Sequence, residues 1–179
     1  IEYQSLYDLL DVAKVAFEKE NDTEWALKVT SYIKDCCTWA IQKGVEVVLM
    51  DELYWKTLKV EAPYHFESFL FYMEKNRRPE KRFYEPRKKT LGIVVQDLQD
   101  LEDRKIEFLG ISLPPRVGKS TLCIFFLAWV IGRHPESHNA MSGHSGILAD
   151  RFYRDVLKLT ENEEYTFKEI FPEIELANK

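Results

Sequence analysis

Gly118-Lys119-Ser120 is the short run whose residue types can do chemistry together. It fills the last three positions of the phosphate-binding pattern G-x-x-x-x-G-K-[ST], while the first glycine position holds Leu113. Backbone N–H groups from about Arg116 to Thr121, Pro115 and Val117 included in the loop, would wrap the phosphates at the exposed start of a helix. Gly118 lets backbone approach a ligand with no Cβ in the way. Lys119 would reach the β- and γ-phosphates, and the Ser120 hydroxyl would ligate Mg²⁺. Arg116 adds a second cation that could steady the γ-phosphate, so Lys119 and Arg116 are the candidate catalytic pair and ATP with Mg²⁺ the candidate cofactors. The alternative is a Gly-Lys-Ser turn that merely opens a helix.

Such a loop needs a strand before it and a helix after it. Ile106 to Leu113 is a short, apolar, β-leaning run without a helical face, which predicts a buried strand. Gly118 to Ile131 predicts a strongly apolar helix, His138 to Ser142 a second strand, and Leu148, Phe152, Val156 and Leu159 a further helix. Strand, loop, helix, strand, helix in this order predicts an α/β fold with the beginning of a parallel sheet of the P-loop NTPase kind, incomplete in this chain. Residues 1–76 read instead as a mostly helical unit. Leu6, Leu9, Leu10, Ala13 and Phe17 fall at three-and-four spacing, as do Trp25, Val29, Ile33 and Cys37. A third helix is expected over Val45 to Leu58. A fourth comes after Pro63, with Phe66, Phe69, Leu70 and Met73 on one face.

Between the two units, residues 77–89 read as a basic linker. From Lys75 to Lys89 eight basic residues face only Glu80 and Glu85, and Pro79 and Pro86 interrupt any helix. Tyr84 could stack on an adenine there while Arg87 holds base or phosphate. The same charge could meet DNA phosphates, or simply be solvated. Residues 90–179 form the remaining unit, beginning with a helix through Leu91, Val94, Val95, Leu98 and Leu101.

The sequence Ile111-Ser112-Leu113-Pro114-Pro115-Arg116-Val117-Gly118-Lys119-Ser120-Thr121 resembles the Walker A segment of tailed-phage terminase large subunits, in which Pro-Pro-Arg commonly replaces the usual opening of the loop. Arg82-Phe83-Tyr84-Glu85-Pro86-Arg87 resembles the segment leading into that family's ATPase core. Ser142 to Ala149, with Arg151 and Arg154, resembles the stretch after its loop helix. The resemblance covers about Arg77 to Leu159. It implies an ATP-driven motor that packages double-stranded viral DNA into procapsids, working with a portal and a small terminase subunit. It further implies a homo-oligomer in the cytoplasm of the bacterial host, with Walker B and the nuclease outside this sequence. The present chain would then turn over no ATP alone. A helicase-like P-loop motor and a non-catalytic nucleotide-binding or assembly module stay open beside it.

The remaining signals exclude more than they add. The net charge of −5 over 179 residues argues against a protein that coats nucleic acid with its whole surface. No apolar run approaches the ~18 residues of a membrane span. Cys36, Cys37 and Cys123 form no C-x-x-C pair and read as reduced thiols. Val47-Val48-Leu49-Met50-Asp51-Glu52 imitates a Walker B strand but fits a helix face better. His138 and His144 lack further close ligands for a metal. Arg151 and Arg154 read as i,i+4 partners of Asp155 and Asp150 rather than trans-acting fingers. The acidic end, Glu161 to Glu175, reads as solvated surface.

Overall fold

α1 (Tyr3–Val15) and α2 (Thr23–Gln42) bury Leu6, Leu10, Ile33 and Cys37 against Met50 and Leu53 of α3 (Val47–Glu61). The computed structural model describes residues 2–20 and 22–174; Glu175 of the acidic end lies outside them. α1 runs on through a widened turn, Ala16–Glu20, and Asp22 then caps α2 by accepting the Trp25 N–H at 3.1 Å. The α2–α3 turn needs left-handed backbone at Gly44 (φ 72°) and, without glycine's freedom, at Glu46 (φ 43°). Lys34 pairs at 2.7 Å with Glu61, a carboxylate with no exposure, so this three-helix unit carries one ion pair inside its apolar packing. The Walker B look-alike is the first turns of α3, a helix as its face predicted. Burial lifts the Cys37 thiol to about 11, so it is protonated at neutral pH.

The first unit ends at Tyr64 and the second begins at His65, not at residue 77. α4 (Phe66–Met73) therefore belongs to the second unit. Its first N–H, on Phe66, donates to Gln99 Oε1 of α5 (Lys88–Glu102) at 2.7 Å. Its last turn is met by Thr166, whose N–H and hydroxyl donate to the carbonyls of Met73 and Tyr72. α6 (Lys119–Arg133) crosses α4 through aromatic contacts, Phe66 lying 5.1 Å from Trp129 and 5.3 Å from Phe126. α7 (Gly146–Glu161) and α8 (Phe167–Ile170) complete the unit, and Phe171 packs its ring where a side chain on Gly132 would stand. On α7, Arg154 pairs with Asp150 and Arg151 approaches Asp155, as the spacing predicted.

The expected α/β fold is overturned. Among the described residues every regular element is helical and no strand or sheet forms. A strand exists only where a neighbour takes its ladder of N–H and C=O groups. Ile106–Leu113 has β-leaning residues but no such neighbour among the described residues, and His138–Ser142 has neither. Both runs are irregular, and Phe108 is 84% exposed rather than buried. No described helix is long and apolar enough to cross a membrane.

Trp129 has no exposed surface and links α4 to α6. Trp129→Ala should cost about 3–5 kcal/mol through lost burial and the cavity left behind, read as a lower urea midpoint at unchanged slope. A midpoint within error of wild type would contradict this packing.

Candidate functional site

The site begins with the backbone of residues 116–118. Arg116 takes φ 68° and Gly118 φ 101°, and α6 starts immediately afterwards at Lys119. The Gly118 carbonyl accepts the Leu122 N–H at 2.9 Å. The N–H groups of Lys119, Ser120 and Thr121 precede that first intrahelical bond and point out of the helix start. Lys119 folds back to place Nζ 3.3 Å from the Leu113 carbonyl, closing the loop on itself.

Across from the loop stands the basic segment, which is a folded wall rather than a linker. Glu74, the residue after α4, is 2% exposed. Its Oε1 and Oε2 each accept the Phe83 N–H at 2.8 Å, and Oε2 also accepts the Tyr84 N–H at 3.0 Å. Arg82 holds the start of the segment by donating to the carbonyls of Lys75 and Arg77. Two short helical turns, Pro79–Lys81 and Glu85–Arg87, use the prolines that the sequence marked as breakers.

Phe83 and Tyr84 consequently point in opposite directions. Tyr84 has no exposed surface and donates its hydroxyl to Glu67 at 2.6 Å. Burial, with that carboxylate adding to it, pushes its phenol far above the ordinary range. A ring enclosed in this way has no face to offer a base, so the expected stacking role of Tyr84 is corrected. Phe83 faces the loop instead. Its ring stacks on Phe125 of α6 at 5.6 Å and 10°, and its edge lies 2.6 Å from where a Cβ on residue 118 would be. Gly118 is thus required twice, by its backbone angle and by the ring beside it. Arg87 donates to the Phe83 carbonyl at 2.8 Å and spreads its guanidinium over the ring at 5.2 Å.

Loop and wall enclose a cleft of about 460 Å³ lined by Phe83, Arg87, Pro114, Pro115, Arg116, Gly118, Lys119, Ser120 and Thr121. That size suits a small-molecule ligand. Seven of the residues expected from sequence meet there. Val117 belongs to the loop but not to the lining, and Tyr84 is turned away. Phe83 and Glu74 escaped the sequence reading. The Phe83-Tyr84 pair signalled one aromatic for the cleft, but only the bond to Glu74 decides which.

Three cations line the cleft, Arg87, Arg116 and Lys119, and the lining contains no carboxylate among the described residues. With the open N–H groups of α6, the cleft is built to attract a polyanion. A divalent cation would find the Ser120 and Thr121 hydroxyls but no carboxylate, which fits an ion carried in on phosphate and not one held by protein alone. No group of three or more His, Cys, Asp or Glu able to hold a metal occurs among the described residues, His138 and His144 included. Comparison with family models, curated proteins and solved structures finds no match for this chain.

Burial holds the Glu74 carboxyl above its ordinary value of 4.5, against the opposing pull of the Phe83 and Tyr84 N–H groups and of Arg77 and Arg82. The folded state therefore keeps a proton that the unfolded chain releases. The contribution of Glu74 to stability must fall as pH rises above 4.5, until the folded protein ionises as well. Subtracting the urea-unfolding free energy of Glu74→Gln from that of wild type cancels the other carboxylates. This difference should decline with rising pH, and a flat or rising one would show that burial does not dominate at Glu74.

Proposed function

We propose that this chain binds the phosphates of ATP, with Mg²⁺, in the cleft between the 113–121 loop and the Phe83–Arg87 wall. The observation that carries this reading is the convergence of Lys119, Arg116, Arg87 and the first N–H groups of α6 on one carboxylate-free cleft of ligand size. Lys119 leaves the Leu113 carbonyl for the β- and γ-phosphates, Arg116 and Arg87 flank the triphosphate, and the Ser120 hydroxyl joins the metal's shell. Phe83 offers the apolar edge against which a base can rest.

The wider reading rests on the resemblance of residues 77–159. The chain is proposed as the front part of a terminase large subunit, a motor that drives double-stranded viral DNA into procapsids in the bacterial host cytoplasm. A portal, a small terminase subunit and further copies of the motor are its partners. A lining without a carboxylate favours a second reading for the chain taken alone, nucleotide binding without turnover. Nothing in the lining would orient an attacking water.

Lys119→Ala should weaken ATP binding by about 10- to 100-fold, the value of a charge-assisted contact, with the fold retained. Phe83→Ala should weaken ATP more than inorganic triphosphate, because it touches the base and not the phosphates. Equilibrium titration with labelled ATP and competition by triphosphate reads both. Equal ATP affinity in wild type and Lys119→Ala would remove the proposal. A phosphate-release assay should find no Lys119-dependent turnover by this chain, and sustained turnover would exclude the second reading.

A further inference from the structure

α2 carries two apolar stripes, and only one of them faces its own unit. Ala26, Ile33, Cys37 and Ala40 are buried in the three-helix core. Trp25, Tyr32 and Trp39 stand on another face, 40%, 52% and 53% exposed. Their spacing is seven residues twice over, so they form one row roughly 21 Å long. Single exposed apolar residues are ordinary, but three large aromatics in one register make a contact surface.

The row is symmetric about Tyr32, with a tryptophan seven residues to either side. We infer that two copies of this chain associate through α2, antiparallel, about a two-fold axis at Tyr32. In that arrangement Tyr32 meets Tyr32, and each Trp25 meets the Trp39 of the other copy. The charges beside the row agree with it. Lys28 and Asp35 are both exposed and lie on the same edge of the row. A two-fold axis at Tyr32 brings each Lys28 level with Asp35 of the second copy, twice by symmetry. The opposite edge carries half-buried Val29 and buried Cys36, which are apolar and also fall level with one another. Parallel pairing would instead set the edge with Lys28 and Asp35 against the apolar Val29 and Cys36 edge of the second copy, leaving both charges without an opposite charge across the seam.

Lys28 is held at 2.7 Å by Glu24, an i,i+4 pair in which both side chains are more than two-thirds exposed, so releasing it costs little. Three half-exposed aromatics of about 150–250 Å² each give on the order of 300 Å² per copy. With the edges added, the total stays below about 1,200 Å², the class of weak, reversible contacts. The association belongs in the micromolar range or above and is independent of the nucleotide cleft.

Sedimentation velocity of the full chain, from low-micromolar to several-hundred-micromolar, tests this. Wild type should shift from monomer to dimer with concentration. Tyr32→Glu and Trp39→Glu, both surface changes, should each weaken the dimer by at least about tenfold while retaining the helical circular-dichroism spectrum. Lys28→Glu should weaken it by a smaller factor, and Lys28→Glu combined with Asp35→Lys should recover it, because the antiparallel pairs are then rebuilt with reversed sign. Wild type that stays monomeric throughout overturns the inference, whatever else the row binds. So does a dimer indifferent to Tyr32→Glu and Trp39→Glu, or a double charge reversal that recovers nothing.

Discussion

Glu74 is a carboxylate placed where no water can serve it, and the second unit is organised around the groups that serve it instead. By taking the N–H groups of Phe83 and Tyr84 it forces residues 75–87 to turn back on α4. That single turn sends the Tyr84 ring inward to Glu67 and the Phe83 ring outward onto Gly118. The contacts form a closed circuit. Phe83 stacks on Phe125, Phe125 meets Tyr165 edge-on at 6.0 Å, Arg77 covers Tyr165 at 4.8 Å, and Arg77 returns to within 3.6 Å of Glu74. Each member fixes the next, so the end of α4, the body of α6 and the stretch between α7 and α8 are positioned together. The cleft inherits its shape from that circuit.

The acidic end also takes part in this packing. Glu169 accepts the Tyr72 hydroxyl at 2.7 Å, and Glu164 lies 3.9 Å from Arg77. Glu161, Glu163, Glu164, Glu169 and Glu173 are all exposed, as composition suggests, and two of them also reach a phenol and a guanidinium from that surface. Glu102 plays a similar part at the other end of α6, where it meets both Arg133 and His134.

The helices and the loop were legible in the sequence, and the reason is local. Apolar spacing marks a helix wherever one face is buried, and glycine before lysine at a helix start marks a turn of backbone. Leu6, Leu10 and Ala13 are buried as their spacing predicts. The set Trp25, Val29, Ile33 and Cys37 was legible only in part. A spacing of four residues advances about 40° around a helix at each step, so four such residues do not share one face. Ile33 and Cys37 reach the core while Trp25 stays outside. The sheet was misread because β-leaning composition describes a preference of the backbone, whereas a strand is a relation between two segments. Which of Phe83 and Tyr84 turns toward the loop depends on a carboxylate nine residues earlier, and no local pattern carries that.

On the proposed reading, the bond from Lys119 to the Leu113 carbonyl would give the loop a selectivity of its own. An ammonium resting on a carbonyl is a weaker lure than one standing in solvent, because a ligand must first replace that contact. A lone monovalent anion offers one oxygen and one charge in exchange, which gains little. A chain of phosphates offers several oxygens at once, to the ammonium, to the guanidiniums and to the helix start, so the exchange is repaid many times over. In the proposed phosphate site the loop would sort anions by how many charges they bring before any other part of them is touched.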